Sequence, residues 1–120
     1  MDLVDAIAHC LSLPQATESM PFGPDTLVYK VAGKVFAITS LDAFPPFINL
    51  KCDPQRAVEL RDQYEAITPG WHMNKKHWNS VRIDGALPSK LILELIEHSY
   101  QLIVNSLSAR ARQASEVSEE

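Results

Sequence analysis

Two β-prone runs, Thr26–Val31 and Lys34–Ser40, are separated only by Ala32-Gly33. A two-residue connection joins antiparallel neighbours, whereas parallel strands need a crossover of a dozen or more residues. The chain is therefore committed to an antiparallel hairpin near its centre. The loop length also predicts a register, with Val31 opposite Lys34, Tyr29 opposite Phe36 and Leu27 opposite Ile38. Alternation then gathers Leu27, Tyr29, Val31, Phe36 and Ile38 on the expected core face. Val28, Lys30, Val35, Ala37 and Thr39 are assigned to the opposite, more polar face.

Elements of matching type surround the hairpin. Residues 2–12 place Leu3, Ile7 and Leu11 on one helical stripe flanked by Val4 and Ala8, with Asp2 as a candidate N-cap. Leu13 to Pro24 holds three prolines and a glycine and predicts an irregular connection. After Pro45-Pro46, Phe47–Cys52 reads as a strand with Ile48, Leu50 and Cys52 on one side and Phe47, Asn49 and Lys51 on the other. Asp53-Pro54 is an N-cap followed by proline at the first helical position and opens a helix to about Tyr64. Glu65–Thr68 and His77–Asp84 read as two further strands, the latter alternating Val81 and Ile83 against Trp78, Ser80 and Arg82. Pro88 to Leu107 is the longest helix, with Ile92, Leu95, Ile96, Leu102 and Ile103 inward.

The order α-β-β-β-α-β-β-α predicts a two-layer α+β domain. Its five-stranded, mostly antiparallel sheet is covered by helices on one face and open on the other. Residues 1–107 form the expected domain, and residues 108–120, which lose the apolar period, form an expected disordered polar tail. With 120 residues, 46% of them apolar, one core is expected and no staple is required. Cys10 and Cys52 lack ligand-like spacing and are expected to be reduced. Asp2 and Asp5 stand where a signal peptide needs basic residues, and no apolar run approaches a membrane span. A cytoplasmic protein without membrane association is expected.

The chemistry-bearing residues concentrate in one stretch. Between Thr68 and Val81 fall both tryptophans, His72, His77, Lys75 and Lys76. His72 and His77 are five apart, unsuited to a helical metal pair, and an extended chain would point them oppositely. Neither a nucleophile–base spacing nor a phosphate-cradling glycine loop is present, so neither enzymatic activity nor a metal or cofactor is expected. The same residues could simply pack and solvate a loop, since aromatic side chains are usually core.

Charge placement adds a second signal. The net charge is −4, which argues against bulk coating of a polyanion. Segments 26–52 and 66–84, however, hold Lys30, Lys34, Lys51, Lys75, Lys76 and Arg82 against only Asp42 and Asp84, a net +4. Alternation puts Lys30, Lys51 and Arg82 on the open face beside Phe47 and Trp78. Interleaved cations and aromatic rings suit phosphates and unstacked bases. Lysines on exposed strands also deter edge-to-edge aggregation, so solubility alone would account for some of them.

Several segments together resemble the MmcQ/YjbR family of small bacterial proteins. They are Leu13-Pro14, Pro21-Phe22-Gly23, Lys30 to Ala37, Leu50-Lys51, Pro69 to Trp78, Asp84-Gly85 and Ser99-Tyr100. The resemblance spans about residues 3–107 and rests chiefly on the long string Pro-Gly-Trp-His-Met-Asn-Lys-Lys-His-Trp. It implies a two-layer fold similar to the type III secretion chaperones, and DNA binding through a double-wing arrangement of hairpins. Carried onto this sequence, it implies that Lys30, Gly33 and Lys34 lie on one hairpin and His72, Asn74, Lys75, Lys76, His77 and Trp78 on the second segment. The leading expectation is weak, salt-sensitive DNA binding in which Lys30, Lys34, Lys75, Lys76 and Arg82 meet phosphate, with Lys51 on the same face. His77 or Trp78 would meet a base or sugar. Two alternatives stand beside it: a module binding a protein partner or itself, and a small-ligand pocket lined by Trp71, His72, Asn74 and Trp78.

Overall fold

A computed structural model describes residues 1–70 and 73–107. The expected tail, residues 108–120, and the candidate site residues Trp71 and His72 lie outside the described residues.

The elements run α1 (Leu3–Ser12), β1 (Ala16–Ser19), β2 (Thr26–Val31), β3 (Lys34–Ser40), β4 (Phe47–Lys51), α2 (Pro54–Gln63), β5 (Ile67–Pro69), β6 (Trp78–Arg82) and α3 (Ser89–Ser106). Among the described residues the sheet has the order β1-β2-β3-β4-β6-β5, every neighbouring pair antiparallel. The two-layer α+β class is as expected, with six strands rather than five. The additional strand, β1, lies inside the segment expected to be irregular. Its Ala-Thr-Glu-Ser sequence shows no apolar alternation because it is a short edge strand, held by its backbone to β2 with Ala16 opposite Val31.

Local signals fix the helix starts. Asp2 and Asp5 form a reciprocal capping box on α1, and the Asp53 carboxylate accepts from the Arg56 N–H at 3.1 Å ahead of Pro54. The inward face of α1 is Ala6 and Cys10, with Leu3 and Ile7 partly buried. Of the expected stripe, Leu3 and Ile7 pack against the core while Leu11 is exposed, as is the flanking Val4. Ala6 and Cys10 are small enough to let α1 close onto the core.

The hairpin has the predicted loop. Ala32 (φ 50°) and Gly33 (φ 79°) both take the left-handed conformation of a tight hairpin turn, and Val31 faces Lys34. Beyond that pair the register departs from expectation. A bulge between Tyr29 and Lys30 on one side and Phe36 on the other pairs Tyr29 with Ala37 and Leu27 with Thr39. Consequently Phe36 and Ala37 both join the core, Thr39 shares the side of Leu27 and Ile48, and Ile38 turns to the open face. The extra residue keeps Phe36 edge-on to Tyr100 of α3, with ring centroids 5.4 Å apart, while small Ala37 also lies in the core.

The core lies between the helices and one sheet face. It runs from Leu27, Tyr29 and Phe36 through Ile48, Leu50 and Val81 to Ile92, Leu95, Ile96 and Ile103 of α3. The opposite face carries Lys30, Lys51 and Trp78.

Candidate functional site

Antiparallel order brings five lysines to one end of the sheet. Lys30 pairs with Val35 next to the β2–β3 turn, and Lys34 closes that turn. β4 runs back and ends at the same level with Lys51, which faces Trp78 at the start of β6. Lys75 and Lys76 precede His77 and Trp78 in the loop that enters β6. Alternation puts Lys30, Lys51 and Trp78 on the face away from the helices, as expected from sequence. β2 and β6 are three strand spacings apart, so this row is about 14 Å wide.

Among the described residues the ion pairs are His9–Glu97, Arg56–Glu94 and Arg82–Asp84, and none of the five lysines enters one. Lys34, Lys75 and Lys76 are exposed, while Lys30, Lys51 and Trp78 are half-buried. The arrangement concentrates uncompensated positive charge beside an aromatic ring.

Arg82 is not part of this group. It faces Phe47 at the other end of β6, about 13 Å from Trp78 along the strand. Its Nε lies 2.6 Å from Asp84 Oδ2, an ion-pair contact off the N–H direction that leaves this N–H without a hydrogen bond.

The loop before β6 is shaped by its own backbone. Asn74 Oδ1 accepts from Lys76 N–H at 2.9 Å, and the Asn74 carbonyl accepts from His77 and Trp78 N–H at 3.1 and 3.0 Å. The His77 carbonyl receives Cys52 N–H at 2.8 Å, and Arg61 donates to both the Lys75 carbonyl and Asn79 Oδ1. Gly70 N–H donates to the Trp78 carbonyl, and a Cβ on Gly70 would lie 2.7 Å from Trp78 Cβ. Asn74 and His77 thus present Lys75, Lys76 and Trp78 as much as they face solvent.

The middle and far parts of the open face are recessed. One cavity of about 490 Å³ is walled by Phe22, Val35, Ile38, Phe47 and Met73, with Asn49 among its polar lining. A second, of about 390 Å³, lies beyond Phe47 and reaches Phe44, Ser80 and Arg82. Between them Ser80 Oγ donates to Asn49 Oδ1. Alternation alone places Phe47 and Asn49 on this face, but the larger cavity also needs Phe22 and Met73 from distant segments. The polar Asn49 inside the apolar run Phe47–Leu50 was the available signal. Among the described residues no three His, Cys, Asp or Glu side chains converge as metal ligands, and no helix is long and apolar enough to cross a membrane.

Comparison with known proteins bears on the whole of this architecture. The YjbR family profile matches residues 11–102. The chain belongs to the YjbR family. The uncharacterized protein YbdF of Escherichia coli O157:H7 is 43% identical to it over 100 residues, 83% of this chain and 82% of that protein. The uncharacterized protein YjbR of Escherichia coli K12 is 33% identical over 93% of this chain and 95% of its own length. The crystal structure of Deinococcus radiodurans protein DR2400, domain family DUF419, superposes with a TM-score of 0.90 at 36% identity, covering 96% of this chain and 88% of that one. The lysine-bearing turn, the Asn74 loop and the open face lie within the matched YjbR region.

Proposed function

We propose that this YjbR-family protein is a cytoplasmic, non-enzymatic DNA-binding protein that engages phosphates through the lysine end of its open sheet face. The carrying observation is the row of Lys30, Lys51 and Trp78 flanked by Lys34, Lys75 and Lys76, without an acidic partner among the described residues. Trp78 offers a stacking surface directly across from Lys51, a pairing suited to a strand with accessible bases. Arg82, held by Asp84, contributes less. The overall charge of −4 keeps the affinity modest and the binding salt-sensitive.

Fluorescence anisotropy with labelled single-stranded and duplex DNA over a salt series tests this reading. About four to five phosphate contacts to a single strand give a log–log salt slope of roughly −3, and Lys75→Ala/Lys76→Ala should flatten it by about 1.4. Absence of binding at low salt, or a slope the double variant leaves unchanged, overturns the reading.

A second reading, a module that binds a protein partner or itself, is favoured by Phe44, which is 95% exposed beside the second cavity. A mass that rises with concentration in light scattering and falls in Phe44→Ser would support it. A constant monomer mass together with DNA binding would remove it.

A further inference from the structure

The larger cavity on the open face carries a more specific conclusion, which rests on the DNA reading for the position of the phosphates. Its wall is largely apolar and in part aromatic, with Phe22, Phe47, Ile38 and Met73, and among the described residues no charged side chain lines it. Asn49 is the informative member. It is only 4% exposed, and its Oδ1 is occupied by the Ser80 hydroxyl. Among the described residues its Nδ2 donates to nothing. Nδ2 opens into the recess rather than being sealed without a partner, so it is available to an acceptor on a ligand that enters. The cavity, about 490 Å³, lies within the range of sites that enclose small molecules.

Position relative to the lysines narrows the ligand. Asn49 and Lys51 alternate onto the same face of β4 two residues apart, about 7 Å. Val35, which pairs with Lys30, is also part of the wall, so two of the lysines stand at the rim. A phosphate held at Lys51 and a flat neutral ring held against Asn49 are separated by roughly the reach of one nucleotide. We infer that the cavity receives an unstacked base of the bound strand, its faces against Phe22, Phe47 and Met73 and a carbonyl on its edge accepting from Asn49 Nδ2. With Oδ1 accepting from the Ser80 hydroxyl, the group the amide offers the recess is its Nδ2 donor, which a keto group of thymine can accept and the amino group of adenine cannot.

The test compares a labelled thymidine 12-mer with an abasic 12-mer carrying the same phosphates. The thymidine strand should bind about tenfold tighter to the unaltered protein, and both strands should show the same salt slope. Phe22→Ala and Asn49→Leu should each remove most of that difference while leaving abasic binding and its salt slope unchanged. Phe22 is 73% exposed outside any helix or strand, so its variant keeps the test decisive if Asn49→Leu fails to fold. Equal binding of the two strands, or a thymidine preference that survives Phe22→Ala, overturns the base pocket and leaves the phosphate reading standing. If neither strand binds at low salt, both fall.

Discussion

The Ser99 hydroxyl of α3 donates to the Phe36 carbonyl at 2.5 Å and accepts from the Lys51 N–H at 2.9 Å. The β3–β4 ladder ends at Ala37 opposite Leu50, so the next rung is not a direct bond but a relay through this hydroxyl. The bulge that draws Phe36 into the core also opens the gap that Ser99 fills. A core serine thereby holds the backbone of the lysine that stands opposite Trp78.

Ser99→Ala should therefore destabilise the fold by about 1–3 kcal/mol, because it leaves a buried carbonyl and a part-buried N–H unpaired rather than merely removing one bond. Urea denaturation monitored by tryptophan fluorescence gives the value. A loss below about 0.5 kcal/mol, the usual effect of a neutral surface change, would show that water or ladder closure replaces the hydroxyl.

Gly70 is required for steric reasons at ordinary backbone angles. A Cβ there meets Trp78 Cβ at 2.7 Å and Trp78 backbone atoms at 3.1 Å, and backbone within a sheet cannot retreat. Gly70→Ala should cost about 1–3 kcal/mol, in the range of overpacking, and should alter the near-ultraviolet circular dichroism of the tryptophans. An unchanged spectrum and melting midpoint would mean that β6 has room to shift.

How far the sequence discloses this molecule depends on whether each signal is local. The Ala32-Gly33 turn and the Asp2 and Asp53 caps are decided within a few residues, and they appear as read. Lys30, Lys51 and Trp78 share a face because alternation carries that information along each strand. The bulge at Phe36 meets Ser99 of α3, more than sixty residues downstream, and no feature of β3 announces it. β1 carries no apolar pattern because an edge strand is held by its backbone and needs none. The cavity behind Asn49 joins residue 22, three strands and residue 73, a convergence visible only after folding. Many of the segments carrying the family resemblance turn out to be architectural: Tyr100 donates to the Pro14 carbonyl at 2.6 Å, and Asp84 caps its own turn at Ala86.

Both cysteines should be inert in the native protein. Burial pushes the Cys10 thiol up to about 12, and burial is also the main cause raising Cys52, beside a weaker lowering influence from Arg56. Only the thiolate attacks a disulfide reagent, so at pH 8 Ellman's reagent should react at the rate of unfolding and reach two thiols per chain in denaturant. Prompt release of one equivalent without denaturant would show that one thiol is reachable in the folded state.

His98 makes stability depend on pH near neutrality. Its ring is half-buried between α3 and the start of α2, where Nε2 accepts from the Asp53 N–H at 3.3 Å. Burial lowers its pKa below the usual 6.5, and Arg56 adds to the effect against the opposing carboxylates of Asp53 and Glu94. A histidine whose folded pKa is lowered binds protons more readily when unfolded, so stability rises with pH across the window between the two values. The contribution of the neutral ring is present above about pH 6.5 and is lost as the pH falls toward the lowered folded value. His98→Gln keeps an acceptor for the Asp53 N–H but cannot titrate. The difference in urea midpoint between the natural protein and His98→Gln should accordingly be constant from pH 8 to pH 7 and shift against the natural protein as the pH drops to 5.5. A difference that stays flat over that interval would mean that the ring is as free to protonate in the fold as in the unfolded chain.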